Sequence, residues 1–377
     1  MFCQRFFPCA VLCVALVAPA APASAADAYE PRTTVLQAHC DVDFADADAV
    51  AGPDGLTRGF VSYRGDDCNQ RIRWFEGTGS SWDTARTRYR GVVMATADDD
   101  SGTWVLFANR GGIRVGRRDR AGVQHAPVLV DGNGLGGALI PTGDLFLSNG
   151  RWLAVWSRQV GPGGEFAQTE LFSAQTLGRG DCFSAGLHKQ RLTDSRYNDD
   201  TPTLVQVGDE DLTPGVFWAR NDGAQGLQSN LRLGSQPPED CLWGQGRYTS
   251  YGDLNTEPDA TQGLEGPLLT WSRDGEILVD GGNASFPTTL MGSGSSPRIS
   301  ATDAGTTHVA WITVGNHVQV AQRKNRGWTE TDLTPDAVAD QQLVAVTGST
   351  PVTDSGGKAT VLIFSPGTDR LTARTQS

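Results

Sequence analysis

The stretch Leu153–Ala154–Val155–Trp156–Ser157–Arg158 reads as a buried β-strand that ends on a cation, and the chain repeats it. Gly215–Val216–Phe217–Trp218–Ala219–Arg220 and Leu268–Leu269–Thr270–Trp271–Ser272–Arg273 match it closely. Phe60–Val61–Ser62–Tyr63–Arg64 and Val105–Leu106–Phe107–Ala108–Asn109–Arg110 are weaker copies, while Val309–Ala310–Trp311 and Val361–Leu362–Ile363–Phe364 keep the apolar half alone. From Tyr63 through Phe107, Trp156, Trp218, Trp271 and Trp311 to Phe364 the steps are 44, 49, 62, 53, 40 and 53 residues. A period near 50 filled with short strands is what a four-stranded propeller blade requires. Continuous apolar runs suit second strands covered on both faces by neighbouring blades. The sequence therefore predicts an all-β fold, a single β-propeller of about seven four-stranded blades. The irregular spacing leaves six or eight open. A β-sandwich or two all-β domains would need a Pro/Ser/Gly linker between copies, and none divides them.

The clearest blade runs from Ser296–Pro297–Arg298–Ile299 through the turn Asp303–Ala304–Gly305 to His308–Ile312, then Val318–Ala321 and Trp328–Leu333. A proline lead-in recurs at Thr201–Pro202, Glu257–Pro258 and Ser296–Pro297. The C-terminal Leu371–Arg374 is expected to be completed by Thr33–Gln37, closing the ring. Composition agrees: 46 Gly, 19 Pro and 3 Met in 377 residues point to many turns joining short strands.

The N-terminus carries one charge, Arg5, before an apolar core from Phe6 to Val17, and Ala23–Ser24–Ala25 has the small-x-small form of a signal-peptidase site. The run is too short for a membrane span. Residues 1–25 are read as a signal peptide and 26–377 as the propeller domain of a secreted protein, extracellular or periplasmic. Cys40, Cys68, Cys182 and Cys241 remain after cleavage, an even number that suggests two disulfides with three pairings open. Cys40–Cys68 and Cys182–Cys241 are the pairings local in sequence. Losing Arg5 moves the net charge from −12 to −13. That argues against nucleic acid and anionic membranes as partners. A monomer is expected.

The blade Pro297–Arg298–Ile299, Asp303–Ala304–Gly305, Val309–Ala310–Trp311, Val318–Gln319–Val320 and Gly327–Trp328 resembles the repeats of the bacterial sialidase-like (BNR/Asp-box) propeller superfamily. The Asp-box is echoed in Asp303–Ala304–Gly305–Thr306–Thr307 and in Asp100–Ser101–Gly102–Thr103–Trp104. The resemblance implies the fold, and with it a glycan-related activity.

Trp and Arg two apart on a strand point to one face. Arg64, Arg110, Arg158, Arg220 and Arg273 are thus expected at one rim, where guanidiniums could hold carboxylates, sulfates or sialic acids bidentately. Alternatively each stacks on an aromatic or pairs with an acid, as repeated residues of arrays usually do. Asp199 and Asp200 precede one blade; Glu257 and Asp259 precede the next, with Tyr248 and Tyr251 upstream. Tyr251 as nucleophile, Glu257 as its base and Asp200 as general acid would suit sialidase-type chemistry, and two carboxylates would suit ordinary glycoside hydrolysis. The competing reading is that these acids cap turns and solvate loops.

No metal or cofactor is expected. His39, His125, His188, His308 and His317 are scattered, and Asp41, Asp43, Asp46 and Asp48 lack EF-hand spacing and read as a solvated loop. Gly132–Asn133–Gly134–Leu135–Gly136–Gly137 precedes no helical pattern, and no phosphate loop or nucleophile elbow occurs. The expected function is non-catalytic binding of carbohydrate or a cell-surface polymer. A glycan-processing hydrolase and a protein-interaction scaffold are the alternatives.

Overall fold

The computed structural model describes residues 29–37, 47–64, 70–134, 141–148, 151–161, 168–176, 187–195, 197–206, 214–221, 229–235, 244–247, 255–281, 288–302, 305–324, 327–333, 342–349, 358–365 and 370–376. The proposed leader, the four cysteines Cys40, Cys68, Cys182 and Cys241, and Tyr251 lie outside these residues. All regular elements described are β-strands, and no helix among the described residues is long and apolar enough to cross a membrane.

β1 (Thr33–Gln37) comes first. β2 (Ala47–Ala51), β3 (Thr57–Arg64), β4 (Gln70–Thr78) and β5 (Ser81–Arg86) form one antiparallel sheet. β6 (Val92–Asp99), β7 (Gly102–Asn109), β8 (Gly112–Asp119) and β9 (Val128–Asp131) form the second. The third holds β10 (Gly143–Ser148), β11 (Arg151–Val160), β12 (Gln168–Gln175) and β13 (His188–Arg191). The fourth holds β14 (Asn198–Gln206), β15 (Pro214–Asn221), β16 (Ser229–Ser235) and β17 (Gly244–Arg247). A seven-stranded sheet follows, with β18 (Asn255–Gly263), β19 (Gly266–Arg273), β20 (Glu276–Asp280), β21 (Thr289–Ala301), β22 (Thr307–Thr313), β23 (Val318–Lys324) and β24 (Gly327–Asp332). The last sheet joins β25 (Gln342–Ser349), β26 (Lys358–Ser365) and β27 (Arg370–Thr375) to β1. Thr33 lies opposite Ala373 there, so the N-terminal strand completes the C-terminal sheet as expected.

Burial falls from the inside outward, which follows from the residue pattern. The second strands β7 and β22 are largely apolar and buried on both faces up to their last residue, whereas β5 and β24 are largely exposed or half-exposed. Apolar clusters join each sheet to the next. Phe60, Ile72, Tyr89 and Phe107 fill the seam between the first two sheets; Leu153, Leu171, Val216 and Trp218 fill that between the third and fourth. Val61, Phe75, Leu362 and Leu371 join the last sheet to the first. The first strands touch in a circle: β2 with β6, then β10, β14, β18, β21, β25 and back to β2. The sheets thus surround an axis, and the fold is a β-propeller.

β21 serves two sets of strands. Its first half pairs with β20 and its second half with β22, with Ser293 opposite Glu276 and Gly294 opposite Thr313. The proline lead-ins are β-bulges. Register shifts fall between Asp200 and Thr203, Thr256 and Asp259, and Ser295 and Arg298. Thr201, Glu257 and Ser296 adopt φ of 48°, 52° and 52°. Proline has no N–H for the ladder, so it is accommodated where one residue is already unpaired. A left-handed non-glycine residue costs about 1–3 kcal/mol, and such strain collects at functional sites.

Candidate functional site

The first strands enclose a central channel of about 1030 Å³. One level of it is set by strand pairing. Asp48 lies opposite Phe60, Asp144 opposite Val155, Thr203 opposite Phe217, Asp259 opposite Thr270 and Arg298 opposite Ala310. Each of these side chains lines the channel and reaches the next first strand around the circle. Asp48 accepts from the Thr96 N–H at 2.5 Å, and Asp144 from the Leu204 N–H at 2.6 Å. The Thr203 hydroxyl accepts from the Ala260 N–H at 3.1 Å, and Asp259 from the Ile299 N–H at 2.8 Å. Arg298 Nε donates to the Val344 carbonyl at 3.3 Å. The belt is structural in effect, since it stitches neighbouring sheets. It is also chemical in effect, since it gathers three carboxyl groups and one guanidinium at one depth.

Burial pushes the Asp48 carboxyl up to about 7, and the charge of Asp144 adds to the rise against the opposing Thr96 N–H and Arg298. Burial likewise lifts Asp144 to about 6, with the Leu204 and Leu145 N–H groups opposing and Asp259 adding. Asp259 is raised by burial, partly countered by Arg298. The three carboxyls repel one another, so their titrations are coupled rather than independent. A set of acids that holds some of its protons at neutral pH offers a proton donor beside a proton acceptor.

Of the residues singled out in the sequence, Glu257 lines the channel at its bulge, and its carboxylate accepts from the Ser296 N–H at 2.6 Å. Asp200 sits beside it in the pattern but is turned to hydroxyls: Oδ1 accepts from Thr142 at 2.5 Å and Ser157 at 2.7 Å. Arg158, Arg220, Arg273 and Arg110 are not among the described lining residues of the channel, of which Arg298 is the one arginine. Arg220 grips the fully buried Asp199 with Nε at 2.6 Å and Nη2 at 2.8 Å, and the Trp218 indole N–H donates to the same carboxylate at 2.9 Å. Arg158 stands 3.2 Å from Asp131 and lies over the Phe172 ring, while Trp156 Nε1 donates to Asp131 at 3.3 Å. Arg273 faces Glu276 across a hairpin at 3.4 Å, and Trp271 Nε1 donates to Asn255 at 3.0 Å. Arg110 is exposed in the β7–β8 turn. Arg64 ends β3. No group of three or more His, Cys, Asp or Glu among the described residues could hold a metal.

Asp48 corrects the reading of the acidic stretch as solvated loop: it lies on β2 and faces the channel. Asp144 was not singled out by the sequence at all. One signal could have found the belt. The residue after each lead-in proline is polar: Thr203, Asp259 and Arg298.

No family model matches this chain, and no curated protein matches it in sequence. Solved structures do share its fold. An α-L-arabinanase from Penicillium chrysogenum, complexed with arabinobiose, superposes with a TM-score of 0.53 at 12% identity, over 81% of this chain and 99% of that one. An α-L-arabinofuranosidase from Fusarium graminearum, with an iminosugar inhibitor, gives 0.52 at 9% identity over 92% and 98%. A protein of unknown function from Dyadobacter fermentans gives 0.52 at 9% identity over 91% and 96%. At these identities the likeness is one of fold.

Proposed function

We propose that the protein is an exported, seven-bladed propeller that hydrolyses a glycosidic bond of a neutral glycan in its central channel. In this reading the blades have four strands each, and β21 supplies the outer strand of one and the inner strand of the next. The observation that carries the activity is the trio Asp48, Asp144 and Asp259, three channel carboxyls raised toward neutral pH. Glycoside hydrolysis needs one carboxyl that arrives protonated and one that arrives ionised. Asp48 and Asp144 share these roles in this reading, one as general acid and the other as base or nucleophile. Glu257, on the strained bulge, borders the sugar.

A sialidase-type site calls for several guanidiniums free to hold a carboxylate. Arg158 and Arg220 are occupied by Asp131 and Asp199, and Arg298 is the one described arginine of the channel. That favours neutral sugars over sialosides. The arabinose-containing ligand of one fold neighbour makes arabino-oligosaccharides the first to try.

A second reading, sugar binding without turnover, is favoured by the belt itself, because Asp48, Asp144, Asp259 and Glu257 each already accept from a backbone N–H of the next first strand. The test is release from a panel of fluorogenic arabinosides, other neutral glycosides and sialosides by protein beginning at Ala26. Turnover of a neutral member, reduced about 100-fold or more in Asp48→Asn and Asp144→Asn, is expected. Turnover of sialosides alone would sink the neutral-sugar assignment. Sugar binding with no release from any member would leave the second reading.

A further inference from the structure

The chain is acidic, with a net charge of −12, yet eight of its 31 lysines and arginines fall between Arg86 and Arg120. Three of them, Arg88, Arg90 and Arg114, line a cleft of about 450 Å³ at the seam of the first two sheets that shares no lining residue with the channel. Arg88, Tyr89 and Arg90 enter from the β5–β6 connection, Asn109 from the end of β7, Arg114 from β8, and His125 from the strand-like segment before β9.

The cleft is built rather than incidental. The buried Tyr89 ring stacks on Phe107 at 5.2 Å and 26° and forms the floor. Its hydroxyl lies 2.8 Å from the His125 carbonyl and accepts from the Arg117 N–H at 3.0 Å. The backbone of both flanking arginines is pinned by side chains of the second sheet. The Arg88 N–H donates to Gln124 Oε1 at 2.9 Å, and Asn109 Nδ2 donates to the Arg90 carbonyl at 3.1 Å.

The surface inside the cleft is mostly apolar, and the charge at its edge is positive. Arg117 lies over Trp104 and beside the His125 ring, and His125 Nε2 donates to Asp119 at 2.9 Å. The guanidiniums of Arg88, Arg90 and Arg114 have no carboxylate or hydrogen-bond partner among the described residues. Three such groups from two segments, above an aromatic floor, are suited to planar carboxylates held bidentately. A cleft of this size has room for one sugar ring, with the chain running on outside it.

We infer that this cleft is a binding site for an acidic polysaccharide bearing uronate carboxylates, separate from the channel. It docks the protein on an anionic polymer while its net charge repels that polymer everywhere else. Arg110, in the turn after Asn109, extends the same positive edge. The site does not depend on the activity proposed for the channel.

Affinity electrophoresis in polygalacturonate, with arabinan and heparin as comparison polymers, tests it. The protein is expected to be retarded by polygalacturonate at low salt, not by arabinan, and released near physiological or higher ionic strength as screening sets in. R88Q/R90Q/R114Q should weaken retardation about tenfold or more. R151Q/K324Q/R370Q, which removes the same charge from exposed positions elsewhere, should leave it unchanged. Thermal melts confirm that both triple variants are folded. Absence of retardation in the unaltered protein, or equal losses in the two triples, would overturn the site. Retardation by heparin alone would overturn the uronate assignment.

Discussion

Asp199 and Asp48 are both aspartates of first strands, one fully buried and the other partly exposed to the channel, and they are held in opposite ways. Asp199 faces the Arg220 guanidinium through two contacts and the Trp218 indole through a third. Asp48 accepts from a neutral backbone N–H and faces other carboxyls across the channel. The same side chain is therefore a staple in one place and, in the proposed reaction, a proton-transfer group in the other. Counter-charge decides which, since desolvation is common to both.

The largest test of that contrast is Asp199→Asn. It strands Arg220 beside a neutral partner in a buried site and should cost about 3–5 kcal/mol, read from urea or thermal unfolding. A loss under 1 kcal/mol would show that the clamp is not a staple. Asp48→Asn should act in the opposite direction. The amide keeps an oxygen for the Thr96 N–H and removes a charge that the channel disfavours, so stability at pH 8 should rise by about 1 kcal/mol. Turnover should fall in the same variant.

The pH dependence sharpens the comparison further. The folded-state values of Asp48 and Asp144, about 7 and about 6, lie above those of the unfolded chain. Their protonation therefore favours folding, and the melting temperature should rise as pH falls from 8 toward 6. Asp48→Asn should flatten the upper part of that rise. His308 works against it. It is fully buried, neither ring nitrogen has a hydrogen-bond partner, and burial lowers it to about 4. Stability is therefore lost as pH falls through 6.5 toward 4, and His308→Leu should remove that acid-side loss while leaving the alkaline side alone. An unchanged acid limb in that variant would assign the loss to other groups.

The smallest effect compares two tryptophans at one repeat position. Trp218 Nε1 donates to Asp199, whereas Trp311 Nε1 is buried without a hydrogen-bond partner. Trp218→Phe should cost about 1–2 kcal/mol more than Trp311→Phe, the difference being a hydrogen bond to a charged acceptor. Equal costs would mean that the indole bond adds nothing to the clamp.

These pairs also explain what could be read in advance. The strands around Trp156, Trp218, Trp271 and Trp311 were legible because apolar runs and the turns between them are local properties. So was the closure by β1, since Leu371–Arg374 was expected to be completed by Thr33–Gln37 and pairs with it. The arginines were legible as a repeat that suits either reading, ligand binding at a rim or pairing with local acids and aromatics. For Arg158 and Arg220 the acid-pairing one matches the geometry, through Asp131 and Asp199. The acid comes from a different strand each time, Asp131 from the preceding sheet and Asp199 from the start of its own, which no fixed spacing encodes. Asp48 was hidden in a run of aspartates that looks the same whether it meets water or a channel.

The sequence by itself determined an all-β chain of repeated strands, with proline lead-ins at Thr201–Pro202, Glu257–Pro258 and Ser296–Pro297 that the strand registers show to be bulges. Side-chain alternation and proline's missing N–H act over a few residues, so they are written along the chain. Only the tertiary structure decided which acids would lose water together. Asp48, Asp144 and Asp259 are about a hundred residues apart from one to the next, and their electrostatics arise from strands brought around one axis, where desolvation and mutual repulsion reach across sheets.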